Sequence, residues 1–85
     1  MNLVPSTHFI EELGKLEKRN PLLKRAVIKS LNQIRVNPSH PSLRLHKLSG
    51  QDIYSASVTK SIRIIFTWRG DEAYLLRIGS HEEVY

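Results

Sequence analysis

The chain has 85 residues, of which 40% are hydrophobic and 25% are charged, with a formal net charge of +5. A chain of this length is expected to fold as one domain, spanning residues 1–85, with a small hydrophobic core. The absence of cysteine excludes a disulfide framework, a thiolate zinc site and a cysteine nucleophile. No apolar run reaches the ~20 residues that span a bilayer, and the N-terminus lacks a secretory signal pattern. We therefore expect no membrane association and a cytoplasmic location.

Two helices are predicted at the start of the chain. Ser6 or Thr7 caps the first helix, because apolar residues then recur at helical spacing. These apolar residues are Phe9, Ile10, Leu13 and Leu16. Asn20 marks the break as a cap, with Pro21 at the first position of the second helix. The second helix ends before Pro38, because the residue preceding a proline disfavours helical geometry.

From residue 43 onward the apolar period changes from about 3.6 to 2, which indicates strands. The predicted strands are 43–46, 54–59, 62–69 and 73–78, with turns at 49–52, 60–61 and 69–72. Short turns join the last three strands into an antiparallel meander, and residues 2–4 add an edge strand. The predicted fold is α+β, with two N-terminal helices packed on one face of a small antiparallel sheet. The other face must be polar or bind a ligand.

The positive charge is concentrated in the middle of the chain, where residues 21–69 hold nine basic residues against one acid, Asp52. This distribution predicts a polyanion or an acidic protein as partner. The alternative is a basic domain whose charge has no specific partner. Because the four glycines are isolated and no two histidines lie three or four residues apart, neither a phosphate-binding glycine loop nor a metal site is predicted.

Charged and titratable side chains interrupt or border the predicted strands. Arg63 and Arg77 each break an apolar strand, and a charge in mid-strand of so small a domain must reach solvent, a partner or a ligand. His46 lies on the strand that enters the sheet, and His81 follows Gly79 and Ser80 after the last strand. Each of these residues, taken alone, is also compatible with an ordinary exposed position.

The order of these residues resembles the RelE/YafQ group of toxin endoribonucleases. Residues 77–85 match its C-terminal pattern, in which Arg-x-Gly-Thr/Ser-His is followed four residues later by an aromatic residue. Residues 45–50 resemble the segment before the central hairpin, and His46 corresponds to a catalytic histidine of YafQ-like members. Residues 54–66 resemble the hairpin that places Arg63 in the active groove. The similarity covers essentially the whole chain.

The resemblance implies the toxin half of a type II toxin–antitoxin pair, which forms a hetero-oligomer with an acidic antitoxin. It implies mRNA cleavage in the A site of the 70S ribosome, which inhibits translation, without a metal or other cofactor. His81 and His46 would be the acid and base, and Arg63 and Arg77 would neutralise charge on the phosphorane. Tyr85 would stack on a base or orient the phosphate. Basic side chains would contact RNA by charge. They are Lys24, Arg25, Lys29, Lys47 and Lys60.

The chain departs from this group in the hairpin. YafQ-like members carry a second histidine and an aspartate there, whereas residues 57–61 read Ser-Val-Thr-Lys-Ser, in which Lys60 is the candidate replacement. Two alternatives share the fold: a ParE-type inhibitor of DNA gyrase and a catalytically inactive RNA-binding protein. The ending with His81 favours the nuclease, because gyrase-directed members resemble this segment poorly.

Overall fold

The computed structural model describes residues 1–48, 50 and 52–85. The elements are β1 (Asn2–Pro5), α1 (Thr7–Arg19), α2 (Leu23–Val36), a 3₁₀ turn (Pro41–Leu43), β2 (His46–Lys47), β3 (Ile53–Ser57), β4 (Ile62–Arg69), β5 (Glu72–Ser80) and α3 (His81–Val84). The strands form one sheet in the order β1-β5-β4-β3-β2. Among the described residues, no helix has the length and apolar character to cross a membrane.

The first two helices lie close to their predicted positions. The Ser6 hydroxyl oxygen accepts a hydrogen bond from the Phe9 backbone N–H at 3.0 Å, which confirms Ser6 as the cap of α1. The second helix begins at Leu23 rather than at Pro21, because Asn20 Oδ1 accepts from the Leu22 N–H and residues 21–22 form a turn first. Helix α2 ends at Val36, before Pro38, as predicted.

The main core lies between these two helices and one face of the sheet. Helix α2 buries residues that recur at helical spacing, namely Leu23, Val27, Ser30 and Ile34. The sheet contributes Ala56, Ile64, Phe66, Ala73, Leu75 and Ile78. In α1, Phe9 is buried, but Ile10, which was predicted to belong to the apolar face, is 56% exposed. The apolar face of α1 is therefore narrower than the sequence pattern indicated.

The predicted antiparallel meander is present as β3, β4 and β5. The predicted edge strand is also present as β1, but it pairs with β5 in parallel. The sheet is therefore mixed, because this one parallel pair is added to the predicted antiparallel strands. A parallel pair requires a long crossover connection, and the rest of the chain between β1 and β5 supplies it.

The predicted strand at 43–46 is much shorter than expected. Only His46 and Lys47 pair with β3, because a 3₁₀ turn precedes them and Arg44 has a left-handed backbone with φ of 44°. A left-handed residue other than glycine interrupts an extended strand. The predicted turn at 49–52 includes residues 49 and 51, which lie outside the described residues.

A β-bulge in β5 decides which face of the sheet Arg77 occupies. Residue Leu76 has no partner on β4. Strict alternation from Ala73 and Leu75 would place Arg77 in the core. The extra residue instead returns Ile78 to the core, where it is 1% exposed, and places Arg77 on the opposite face.

The chain ends in a short helix that the sequence analysis did not predict. Strand β5 continues to Ser80, whose side chain forms a capping box with Glu83 at the start of α3. His81 is therefore the first residue of a helix rather than a loop residue. A Cβ atom at Gly79 would lie 3.1 Å from Val84 Cγ1, so a larger residue there would crowd α3.

We expect Ser6→Ala to lower the free energy of unfolding by about 1–2 kcal/mol. The hydroxyl accepts from the Phe9 N–H and also donates to the Leu76 carbonyl at 3.0 Å, which joins α1 to the bulge. Urea denaturation measures the change, and Thr7→Ala, at the exposed neighbouring position, is the matched control. Equal stability losses in the two variants would contradict this role of Ser6.

Candidate active site

Most of the predicted catalytic residues lie on the sheet face opposite α1 and α2, which we call the outer face. One register row across the sheet contains His46, Ser55, Ile65 and Arg77. The adjacent row contains Ser57, Arg63 and Gly79. Directly opposed residues of antiparallel strands share a face. The outer face therefore carries three of the five predicted catalytic residues on its strands.

These residues are spread across the face rather than gathered at one point. His46 lies on the edge strand β2 and Arg77 on β5, so their Cα atoms are separated by three strand spacings, about 14 Å. Arg63, on β4, lies between them. To contact one small group of a substrate, all three side chains must therefore reach toward the middle of the face.

Arg63 is held by neutral oxygen atoms. Its Nε donates to Ser55 Oγ, and its Nη2 donates to the backbone carbonyls of Arg44 at 3.0 Å and Ser55 at 3.1 Å. Ser55 is completely buried. Arg44 lies two residues before His46. The Arg63 guanidinium therefore links the segment 44–46, which includes His46, to Ser55 of β3. None of its three acceptors is a carboxylate, so none of these bonds cancels its positive charge.

Arg77 is held by a carboxylate that the sequence analysis did not identify. Its Nη2 donates to Glu12 Oε2 at 2.7 Å, and its Nε donates to Glu12 Oε1 at 3.4 Å. The same Oε1 accepts from the Ile78 backbone N–H at 3.2 Å. Glu12 lies three residues after Phe9 and four before Leu16, so its helical spacing was a signal that it borders the buried side of α1.

The pKa of Glu12 is lowered in this environment. Burial of Glu12 raises its pKa, but the hydrogen bonds from Arg77 and from the Ile78 N–H, with the charges of Arg77 and His8, outweigh burial. His8 Nε2 lies 3.7 Å from Glu12 Oε2. In turn, the hydrogen bond to Glu12 raises the pKa of Arg77. The pair is therefore ionised over the whole neutral range.

His81 and Tyr85 form an aromatic pair at the end of the chain. Their ring centroids are 4.0 Å apart with a tilt of 43°, and both side chains are exposed. Val84 packs against Gly79, whose position is opposite Arg63 in the sheet register, so α3 lies over the outer face. The helix that begins at the predicted acid, His81, therefore packs on Gly79, which is the register partner of Arg63.

The five predicted RNA-binding residues do not form one surface with these groups. Lys24, Arg25 and Lys29 are exposed on α2, which covers the opposite face of the sheet. Lys60 is exposed in the turn between β3 and β4, and Lys47 Nζ lies 3.5 Å from Asp52. No group of three or more histidine, aspartate or glutamate side chains among the described residues is arranged to hold a metal ion.

The Glu12–Arg77 pair predicts a pH dependence of stability. Because folding lowers the pKa of Glu12, its contribution is present above the unfolded value of about 4.3 and is lost as the pH falls through the folded value. The difference in unfolding free energy between wild type and Glu12→Gln should shrink as the pH falls through the lowered pKa of folded Glu12, because protonated Glu12 resembles glutamine. Urea denaturation between neutral pH and about pH 3 measures it. Glu11→Gln, exposed on the same helix, is the control, and a pH-independent difference for Glu12→Gln would refute the assignment.

The fold is similar to those of several bacterial toxins. No protein-family model matches the sequence, and no curated protein matches it. A metal-bound toxin from Helicobacter pylori is 21% identical, with a TM-score of 0.84 and coverage of 100% of this chain and 99% of that chain. YafQ from E. coli is 16% identical, with a TM-score of 0.76 and coverage of 99% of this chain and 97% of that chain.

A chain of the YoeB–YefM complex from Staphylococcus aureus is 17% identical, with a TM-score of 0.78 and coverage of 95% of this chain and 97% of that chain. In all three comparisons the similarity spans nearly the full length of both chains, including the helices and the sheet. The chain therefore has the α+β fold of RelE-like toxins.

Proposed function

We propose that the protein is the toxin of a type II toxin–antitoxin pair, and that it is a ribosome-dependent endoribonuclease that cleaves mRNA in the ribosomal A site. The observation that carries the proposal is the His81–Tyr85 ring pair at the end of β5, where α3 packs on Gly79, the register partner of Arg63. An imidazole, a stacking ring and a fixed guanidinium are the groups that cleavage of an unstacked RNA strand requires. The full-length similarity to YafQ and YoeB supports it.

The proposed reaction is an in-line attack of the ribose 2′-oxygen on the adjacent phosphorus. His46 accepts the 2′-hydroxyl proton, the new O2′–P bond forms, and the P–O5′ bond breaks as His81 donates a proton to the 5′-oxygen. The products are a 2′,3′-cyclic phosphate and a 5′-hydroxyl. Imidazole is suited to both roles because it titrates near neutral pH. The scheme assigns no metal cofactor to the reaction.

The remaining site residues stabilise and position the substrate in this scheme. Arg63 and Arg77 provide N–H donors for the phosphorane oxygens, and Tyr85 provides a face for an unstacked base. Exposed basic residues on α2 and in the hairpin turn would contact RNA by charge, without reading its sequence.

The proposed partner is an acidic antitoxin in a cytoplasmic complex. A net charge of +5, with nine basic residues and one acid in residues 21–69, favours an acidic protein partner. Similar chains occur in the YoeB–YefM complex from Staphylococcus aureus and in the DinJ–YafQ complex from E. coli. Binding of the antitoxin near the outer face would exclude RNA from the site.

The proposal predicts cleavage that depends on the ribosome. A defined mRNA is placed in 70S complexes with an open A site, the protein is added, and primer extension maps the cuts. We expect efficient cleavage in the A site and little cleavage of the same mRNA alone, because orientation of the substrate can lower the activation barrier by about 7–11 kcal/mol. A 2′-deoxy substitution at the cut nucleotide should abolish cleavage.

Equal cleavage with and without ribosomes would refute ribosome dependence, and cleavage of the deoxy message would refute attack by the 2′-oxygen. Intact mRNA together with inhibition of DNA supercoiling by gyrase would favour the ParE-type alternative. Intact mRNA with tight RNA binding and no effect on gyrase would favour the inactive RNA-binding protein.

We expect His81→Ala to lower the single-turnover cleavage rate by about 10²–10⁴-fold, as loss of a general acid does. The side chain is exposed at the first position of α3, so circular dichroism should show an unchanged fold. His40→Ala is the control for a histidine outside the proposed site, with its fold checked in the same way because His40 Nδ1 accepts from the Ser42 N–H at 3.1 Å. His8 is less suitable because it borders Glu12. A folded His81→Ala variant that cuts at the wild-type rate would remove His81 from the mechanism.

A further inference from the structure

We propose that Glu12 is a positioning residue, which orients the Arg77 guanidinium toward the scissile phosphate. This inference rests on the proposed endoribonuclease function, and it adds a residue that lies outside every matched motif. Glu12 belongs to α1, whereas the motif residues all lie at position 45 or beyond. Its contacts with Arg77 and Ile78 span 65 and 66 positions of the sequence.

The Glu12 carboxylate is held by the backbone of β5 as well as by Arg77. Oε1 accepts from the Ile78 N–H at 3.2 Å, and the Glu12 side chain is only 17% exposed. Arg77 docks on this held group through Nε and Nη2. Such two-point docking sets the plane of a guanidinium as well as its position.

The two bonds to Glu12 use one edge of the guanidinium, and the charge of Glu83 also acts on Arg77. Nη1 is not among the Arg77 atoms bonded to Glu12, and the Arg77 side chain is 36% exposed. An arginine has five N–H donors, so one edge can bind Glu12 while Nη1 donates to a phosphate oxygen. A freely rotating arginine would have to be ordered in the transition state, at an entropic cost that docking removes.

The opposite hypothesis is that Glu12 competes with the substrate. In that case the carboxylate would hold Arg77 away from the phosphate, and removal of its charge would accelerate cleavage. Positioning predicts the reverse, because an undocked guanidinium loses its fixed orientation. The two hypotheses therefore predict changes of opposite sign in the same variant.

The test is single-turnover cleavage of mRNA in 70S complexes by Glu12→Gln, which removes the charge and one of the oxygen acceptors while keeping the side-chain length. We expect the rate at saturating protein to fall about 10- to 100-fold, as it does when a reacting group is displaced by about 1 Å, with the apparent dissociation constant unchanged. Glu11→Gln is the matched control, because Glu11 and Glu12 both line one polar cavity of about 250 Å³. A faster Glu12→Gln variant, or one as fast as wild type, would overturn the inference.

A double-mutant cycle separates positioning from a structural effect. If Glu12 acts through Arg77, Glu12→Gln should cause no further loss in an Arg77→Lys background. The same further loss in both backgrounds would overturn the inference. In ¹⁵N spectra, the Arg77 Nε–H should exchange slowly with water in wild type and rapidly in Glu12→Gln; equal exchange would also overturn it.

These outcomes distinguish the inference from the function on which it rests. Wild-type protein that cleaves ribosome-bound mRNA, with an equally active Glu12→Gln variant, refutes the role of Glu12 alone. Wild-type protein that leaves the mRNA intact refutes the endoribonuclease function and, with it, a role of Glu12 in that reaction.

Discussion

The arrangement of the site depends on one requirement, which is to cover the part of the β5 edge that β1 leaves unpaired. Strand β1 pairs with β5 only from Glu72 to Leu75, so the second half of β5 has no strand partner on that side. An exposed strand edge leaves backbone groups unpaired and invites association with other chains. Helix α1 covers this edge with two polar side chains. Ser6 donates to the Leu76 carbonyl, and Glu12 accepts from the Ile78 N–H.

The Glu12 contact links the packing of α1 on β5 to the orientation of Arg77 in the candidate site. The carboxylate that satisfies the Ile78 N–H is also the one that binds Arg77, so the packing of α1 and the orientation of a site arginine share one side chain. The bulge at Leu76 is part of the same arrangement, because it turns Arg77 out of the core while Ile78 stays in it. A change in the register of β5 would therefore disturb both stability and the outer face.

Features that depend on local periodicity were predictable from the sequence. The apolar spacing of α2, the cap at Ser6 and the meander of β3, β4 and β5 each follow from neighbouring residues, and the structure confirms them. Interactions between distant residues were not predictable in this way, because nothing near Arg77 in the sequence indicates Glu12. Helix α3 is too short for a periodic signal, although Ser80 and Glu83 have capping-box spacing that was readable.

The two site arginines differ in the charge that they offer to a substrate. Arg77 is paired with a carboxylate, which neutralises much of its field, whereas Arg63 is bonded to neutral oxygens and keeps its charge. Under the proposed mechanism, Arg63 therefore stabilises phosphorane charge, and Arg77 contributes directed hydrogen bonds. Arg63 also links the segment 44–46, which includes His46, to β3. Residues 57–61 contain neither histidine nor aspartate, and under the proposed mechanism His46 is the base. In that scheme one guanidinium would support both the transition-state charge and the position of the base.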